Sequence, residues 1–167
     1  VASLVMLILL SWLFLILAVA IKVDSHGPVF YRQVRVTTGN RDFRIFKFRT
    51  MINNADKIGS LVTTGNDSRI TRIGAKIRKC RLDEIPQLLN ILKGEMSFVG
   101  TRPEVRKYVD RYTDEMMATL LMPAGVTSLA SISFKDEDEL IDEYTEKGMS
   151  VDDAYMEKVL PEKMKYN

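Results

Sequence analysis

Residues 81–90 read RLDEIPQLLN and set two adjacent carboxylates, Asp83 and Glu84, behind a cationic run of Arg72, Lys76, Arg78, Lys79 and Arg81. Pro86 and the apolar positions Ile85, Leu88, Leu89, Ile91 and Leu92 come next at helical spacing, so the segment reads as a helix with an acidic first turn. The simplest role for Asp83 is structural, an N-cap aspartate with Glu84 pairing the helix dipole. A functional role competes with it. A carboxylate at a helix N-terminus among arginines stays ionised and is ready to attack phosphorus or to bind a hard cation such as Mg²⁺. Glu84 projects about 100° further round an α-helix, so the two acids can divide nucleophilic and metal or proton duties.

Charge is distributed unevenly around this block. Residues 1–21 carry none, residues 22–111 hold 19 Lys/Arg against 9 Asp/Glu, and residues 112–167 hold 5 against 13. The middle of the chain therefore suits an anionic partner or surface, although the net charge of the whole is only +2. One cysteine, Cys80, excludes an internal disulfide, and one histidine, His26, argues against a His/Cys zinc site. No Gly-rich Walker loop is present.

The opening run VASLVMLILLSWLFLILAVAI, residues 1–21, is apolar on every face, as a lipid-surrounded helix is. At ~1.5 Å per residue it reaches roughly 31 Å, about one bilayer core. A signal peptide is the weaker reading, since Ala18–Ala20 resembles a cleavage site but no basic segment precedes it. A spanning helix and a re-entrant helix both fit. The basic flank of Lys22, Arg32, Arg35, Arg41 and Arg44 favours the cytosolic side for the remainder of the chain.

Beyond a turn at Gly27-Pro28, Val29, Tyr31, Val34 and Val36 mark a strand, TTGNRDF a turn, and DFRIFKFRTM the second arm of a hairpin. Period-2 geometry puts Lys47 and Arg49 on one face with Phe43 and Ile45, where the two cations can hold neighbouring phosphate oxygens. An edge strand solubilised by its charges is the plainer reading. A short helix in NNADKIGSLV, a break at Gly65-Asn66 and a new helix from Asp67 or Ser68 are expected next, with Arg69, Arg72, Lys76 and Lys79 as one basic stripe. Such a stripe is usually a solvated face, yet a membrane segment on one side and paired acids on the other favour lipid head groups or a phosphorylated substrate. Downstream, Gly100 is expected to let backbone amides approach a phosphate, with Arg102 and Arg106 as an i, i+4 clamp.

Taken together, GPVFYRQVRV, FKFRTM, SRITRIGAKIRK, RLDEIPQLLNILKGEMSFVGTRPE and MPAGVTS resemble the bacterial sugar transferases of the monotopic phosphoglycosyl transferase family, over nearly the whole chain. The resemblance implies transfer of a sugar 1-phosphate from a UDP-sugar to polyprenyl (undecaprenyl) phosphate, releasing UMP, as the priming step of capsule, exopolysaccharide or other glycan assembly. It implies Asp83 as the nucleophile that forms a phosphosugar-enzyme intermediate, and Glu84 as its partner. Both are implied ligands of Mg²⁺, and Lys47, Arg49, Arg69, Arg78, Gln87, Arg102 and Arg106 are implied substrate contacts. Two departures stand out: Trp12 where such chains have a helix-breaking proline, leaving Ser11 to bend the helix, and Thr101 with TSLASIS at 127–133, which bear on donor choice.

The tail is acidic, with a helix expected from Asp136 to about Glu146 and another capped by Ser150. Tyr155, Met156, Val159 and Leu160 form an apolar stripe at helical spacing, suited to core packing. The expected fold is α+β: a membrane helix over 1–23, re-entrant or spanning, then a mostly helical cytosolic domain with a small β-hairpin over 24–167, truncated at both ends. The expected setting is the bacterial inner membrane, with lipid as a partner, nucleic acid excluded and a homo-oligomer left open. The rival class is a non-catalytic basic module that binds anionic lipid or a partner protein at the membrane.

Overall fold

The computed structural model describes residues 1–58, 62–63, 67–134 and 136–166. The apolar opening run forms two helices, α1 (Ala2–Leu9) and α2 (Ser11–Asp24), which meet at Leu10 with a bend of 58°. The break needs no proline. α1 packs against the helix after the Asp83 turn and α2 packs against the basic helix, so tertiary contacts hold the two halves in different directions. Neither helix alone is long and apolar enough to cross a membrane, while the bent pair passes by length and composition. Leu17 and Ile21 face the protein, whereas Ile8, Leu9, Trp12, Leu15, Ile16 and Val19 are exposed.

The expected hairpin is present. β1 (Phe30–Thr37) and β2 (Arg41–Phe48) pair antiparallel from Phe30↔Phe48 to Thr37↔Arg41, and the turn places Gly39 at φ 68° and Asn40 at φ 59°. Alternation sorts β2 as its sequence requires. Phe43 and Ile45 pack with Met96 and Ala124 on one face, and Phe48 packs with Leu17, Ile21 and Ile77 on the other. The α+β class with a small antiparallel hairpin is thus observed.

Several boundaries differ from expectation. α3 (Arg72–Lys79) starts at Thr71, whose Oγ1 accepts the Gly74 N–H at 3.0 Å, and not at Asp67 or Ser68. Asp67 is engaged by Arg69, and Ile70 pairs with Met51 as an antiparallel bridge, which keeps the chain extended up to Thr71. Arg69 therefore precedes the helix and does not join the stripe of Arg72, Lys76 and Lys79. The helix expected in NNADKIGSLV is a single 3₁₀ turn, Ala55–Lys57, and the Gly65-Asn66 break lies outside the described residues.

The acidic block forms a 3₁₀ turn, Leu82–Gln87, before α4 (Leu88–Leu92). Pro86 has no N–H to close an α-helical bond, and regular α geometry resumes just beyond it. β3 (Ser97–Val99) lies ahead of α5 (Arg106–Val109) and α6 (Asp114–Met117), and pairs parallel with β4 (Gly125–Thr127). Gly100 serves this crossing and not a phosphate: a Cβ there would fall 2.1 Å from Pro123 O, and its N–H bonds Thr127 O at 3.1 Å. After α7 (Leu129–Ser133) come α8 (Glu137–Glu146) and a Ser150-capped helix of α9 (Val151–Ala154), a π turn and α10 (Leu160–Met164). Tyr155, Val159 and Leu160 join Val105, Tyr108, Ile141 and Ala154 in a core, as the tail's apolar stripe requires.

One buried side chain sets the acidic turn against the hairpin. Asn90 of α4 accepts the Phe46 N–H at 2.9 Å and donates to Arg44 O at 3.0 Å and Glu95 Oε2 at 2.7 Å, satisfying the free edge of β2. Asn90→Ala leaves these groups buried and unpaired, and is expected to lower unfolding free energy by about 3 kcal/mol, read from denaturant midpoints of the purified chain.

Candidate active site

One residue before its end, β2 turns Lys47 toward the 3₁₀ turn that carries the acids. Lys47 Nζ donates to Glu84 Oε1 at 2.9 Å and lies 3.5 Å from Asp83 Oδ2. Arg102 Nη2 donates to the same Glu84 Oε1 at 3.3 Å. Both acids are buried. The capping position belongs to Arg81, in left-handed backbone with φ 55° and ψ 19°, and Asp83 lies inside the first turn with no side-chain capping bond. The N-cap reading of Asp83 is therefore overturned: its carboxylate faces a cation across the molecule. In a 3₁₀ turn neighbouring residues stand ~120° apart, yet Lys47 reaches both.

Burial alone would raise the Glu84 carboxyl, but Lys47, then Arg102 and Arg81, hold it far below the usual carboxylate range. Arg102 sits on a braced segment. Arg35 donates to Pro103 O at 3.1 Å, the Val36 N–H bonds Glu104 O at 3.0 Å, and the buried Glu104 carboxylate accepts from Tyr155 Oη at 2.6 Å. Lys163, on α10, lies 3.5 Å from Glu104 and bonds Glu137 at 2.6 Å. Burial would raise the Glu104 carboxyl too, and Lys163 and Arg35 bring it below its ordinary value.

Two cavities meet at this site. A polar one of about 880 Å³ is lined by Lys47, Arg49, Arg69, Arg78, Arg81, Asp83, Glu84 and Arg102, among others. A mainly apolar one of about 480 Å³ is lined by Met6, Leu10, Ile85, Leu88, Phe98, Val126, Thr127 and Ile132, and shares Arg81, Glu84, Arg102 and Ser131 with the first. Both volumes lie in the range of small-ligand sites.

Of the candidates from sequence, Lys47, Arg69, Arg78 and Arg102 are brought round the polar cavity with Asp83 and Glu84. Arg69 is already bonded to Asp67 and to Ala55 O at 3.0 Å. Arg49 borders the cavity but lies beyond the end of β2, and its Nη atoms bond the carbonyls of Ser25 and His26, so it does not form a phosphate-facing pair with Lys47. Gln87 is buried and lines neither cavity. Arg106 opens α5, while Arg102 precedes any helix, so the two form no i, i+4 clamp. Arg106 bonds Asp42 and Asn40 at the hairpin tip instead. Sequence reasoning missed the Glu104–Tyr155–Lys163 brace, whose members lie up to 59 residues apart. Arg81 counts in the cationic run of the sequence but not among the contacts expected from it, although the RLDEIPQLLN block begins with it.

Among the described residues no group of three or more His, Cys, Asp or Glu is placed to hold a metal. Asp83 and Glu84 supply two carboxylates, which fits Mg²⁺ bound jointly by protein and substrate phosphates.

A model of the family described as bacterial sugar transferase matches residues 1–161. The chain belongs to that family. An Aeromonas hydrophila UDP-N-acetylgalactosamine-undecaprenyl-phosphate N-acetylgalactosaminephosphotransferase is 48% identical over 134 residues, 78% of this chain and 32% of the relative. A Klebsiella pneumoniae UDP-glucose:undecaprenyl-phosphate glucose-1-phosphate transferase is 38% identical over 138 residues, 80% of this chain and 29% of the relative. The exopolysaccharide production protein ExoY of Rhizobium meliloti is 36% identical over 151 residues, 81% of this chain and 67% of the relative. The chain thus spans about a third of the first two relatives and two thirds of the third.

The Lys47–Glu84 pair has a pH signature. Glu84 is depressed in the folded chain, so the unfolded chain takes the proton first. Its stabilising contribution is complete above the unfolded value of ~4.3 and is lost as pH falls below it. Lys47→Met removes the largest opposing charge and moves the Glu84 value up. The variant is expected to be less stable than wild type at neutral pH, with the gap shrinking as pH falls through the carboxylate range, measured by denaturant midpoints.

Proposed function

We propose that the chain transfers a sugar 1-phosphate from a UDP-sugar to polyprenyl phosphate, with Asp83 as nucleophile. The observation that carries this reading is the buried pair Asp83–Glu84, gripped by Lys47 and Arg102 where a polar and an apolar cavity meet. In the first step an Asp83 oxygen attacks the β-phosphorus of the donor, the bridging P–O bond breaks, and UMP leaves with the bond's electrons. In the second, an oxygen of the acceptor phosphate attacks the same phosphorus, the Asp83 P–O bond breaks, and the carboxylate is restored as the lipid diphosphosugar forms. Covalent catalysis splits one hard phosphoryl transfer into two easier ones, and fixed cations stabilise the charge on the transferred group.

The chain's own groups divide the work. Lys47 and Arg102 hold Glu84 ionised and neutralise phosphate oxygens, and Arg78 and Arg81 extend the positive wall. Mg²⁺, when bound, would be held by Asp83 and Glu84 and would supply further charge neutralisation. The polar cavity takes the nucleotide sugar. The apolar cavity takes the first isoprene units of the acceptor, because Met6, Leu10, Ile85, Leu88, Phe98, Val126 and Ile132 make most of its lining.

The α1–α2 pair inserts in the cytosolic leaflet of the bacterial inner membrane and returns to the same face. This is supported by the 58° bend at Leu10 and by the packing of both halves on one domain.

Incubation with Mg²⁺ and UDP-sugars, starting with the UDP-N-acetylgalactosamine and UDP-glucose named for the relatives and omitting acceptor, is expected to add one sugar phosphate to the intact mass. Asp83→Asn is expected to show no adduct and to lose turnover almost completely; unchanged turnover in that variant would remove Asp83 as the nucleophile, and absence of both adduct and turnover in the wild type would favour a non-catalytic lipid-binding module. Ile132→Trp, which fills the apolar cavity, is expected to form the adduct yet slow its discharge to undecaprenyl phosphate at least tenfold.

A further inference from the structure

Arg49 is 5% exposed, and the direction it takes is unusual for a cation bordering a polar cavity. Its Nη2 donates to Ser25 O at 2.6 Å and Ser25 Oγ at 2.9 Å, and its Nη1 donates to His26 O at 2.9 Å. These acceptors sit at the C-terminal end of α2, where carbonyls lack helical partners and the helix dipole favours a cation. Only a planar fork reaches all three at once. Gly27 leaves the room for it: at φ +131° a Cβ would fall 1.9 Å from Arg49 Nη1. Among the described residues, Arg49 Nε is buried with no hydrogen-bond partner, so the side chain gives up one bond to make the others.

The same corner is fastened from a second side. Asp24, the last residue of α2, accepts the Ile73 N–H in the first turn of α3 at 2.9 Å, and the Thr71 N–H bonds Thr50 O at 3.0 Å. The end of α2 is thereby tied to the strand that carries Lys47 and to the helix that runs into Arg81 and Asp83. Met6, within α1, and Leu10, at the bend, form part of the apolar cavity that also touches Glu84 and Arg102.

We propose that Arg49 and Asp24 are positioning residues that lock the α1–α2 pair onto the catalytic domain, and thereby govern the acceptor half of the reaction and not the donor half. Among the described residues the pair borders the site through the apolar cavity, so loosening its seat shifts Met6 and Leu10 against Glu84, and Asp24 lines neither cavity, so its substitution leaves the wall of the polar cavity unchanged. The inference rests on the two-step reading of the reaction.

The test separates the halves in Arg49→Lys, Asp24→Asn and Gly27→Ala, each in lipid nanodiscs with Mg²⁺ and the UDP-sugar that charges the wild type. Adduct formation from the UDP-sugar is expected to stay within twofold of wild type in Asp24→Asn, which lies outside both cavities, and discharge of the adduct to undecaprenyl phosphate to slow at least tenfold in all three variants. Gly27→Ala displaces the guanidinium without changing its chemistry and is expected to slow discharge by the same factor. Slowing of both halves by Arg49→Lys alone, with Asp24→Asn and Gly27→Ala unaffected, would overturn the proposal and make Arg49 a donor contact. Wild-type rates in both halves for all three variants would also overturn it. Absence of an adduct in the wild type would instead sink the transferase reading. The lock is then read by hydrogen exchange at Ile21–Ser25, which Arg49→Lys and Asp24→Asn are expected to accelerate at least tenfold, and unchanged exchange would overturn it.

Discussion

A buried carboxylate has to be neutralised, and the contact of Glu84 with Lys47 and Arg102 is the constraint on which the rest of the fold turns. It requires three distant segments to arrive together: the end of a hairpin, a 3₁₀ turn, and the extended stretch before α5. Each arrives with a support of its own. Asn90 joins the acidic turn to the open edge of β2, and Arg35, Tyr155 and Lys163 brace the segment that bears Arg102. The charge cluster is therefore a product of the scaffold as much as of the residues in it.

The uneven charge along the chain acquires a structural meaning in the folded molecule. The acidic tail folds back on the basic middle, and two of its residues, Tyr155 and Lys163, end in the interior beside Glu104. Lys163 is buried because Glu104 and Glu137 both reach its ammonium group. A tail whose composition suits a solvated face thus contributes part of the rear support of Arg102, while its outer acids remain in water.

The opening helices are bonded to the elements that frame the candidate site. α2 leads into Asp24 and Ser25, both of which bond to elements that flank the site, and α1 returns to cover α4. A nucleotide sugar is polar and a polyprenyl chain is not. A polar and an apolar cavity sharing Glu84 and Arg102 suit two such substrates taken in turn.

The sequence by itself determined what local physics controls. Period-2 alternation placed Phe43, Ile45 and Lys47 on one face of a hairpin strand, the positive-φ pair Gly39–Asn40 turned it, Ser150 capped its helix, and the tail's apolar stripe became core. The adjacent acids in a basic field marked the candidate site, because charge type and spacing survive any folding. Tertiary structure decided the rest. It bent an unbroken apolar run at Leu10, paired three-residue strands that show no periodicity, and sent Arg49 and Arg106 to backbone and hairpin-tip partners. It also brought Lys163 to Glu104. A long cation's direction depends on which acceptor lies within reach, and that distance is defined only once segments remote in sequence have packed together.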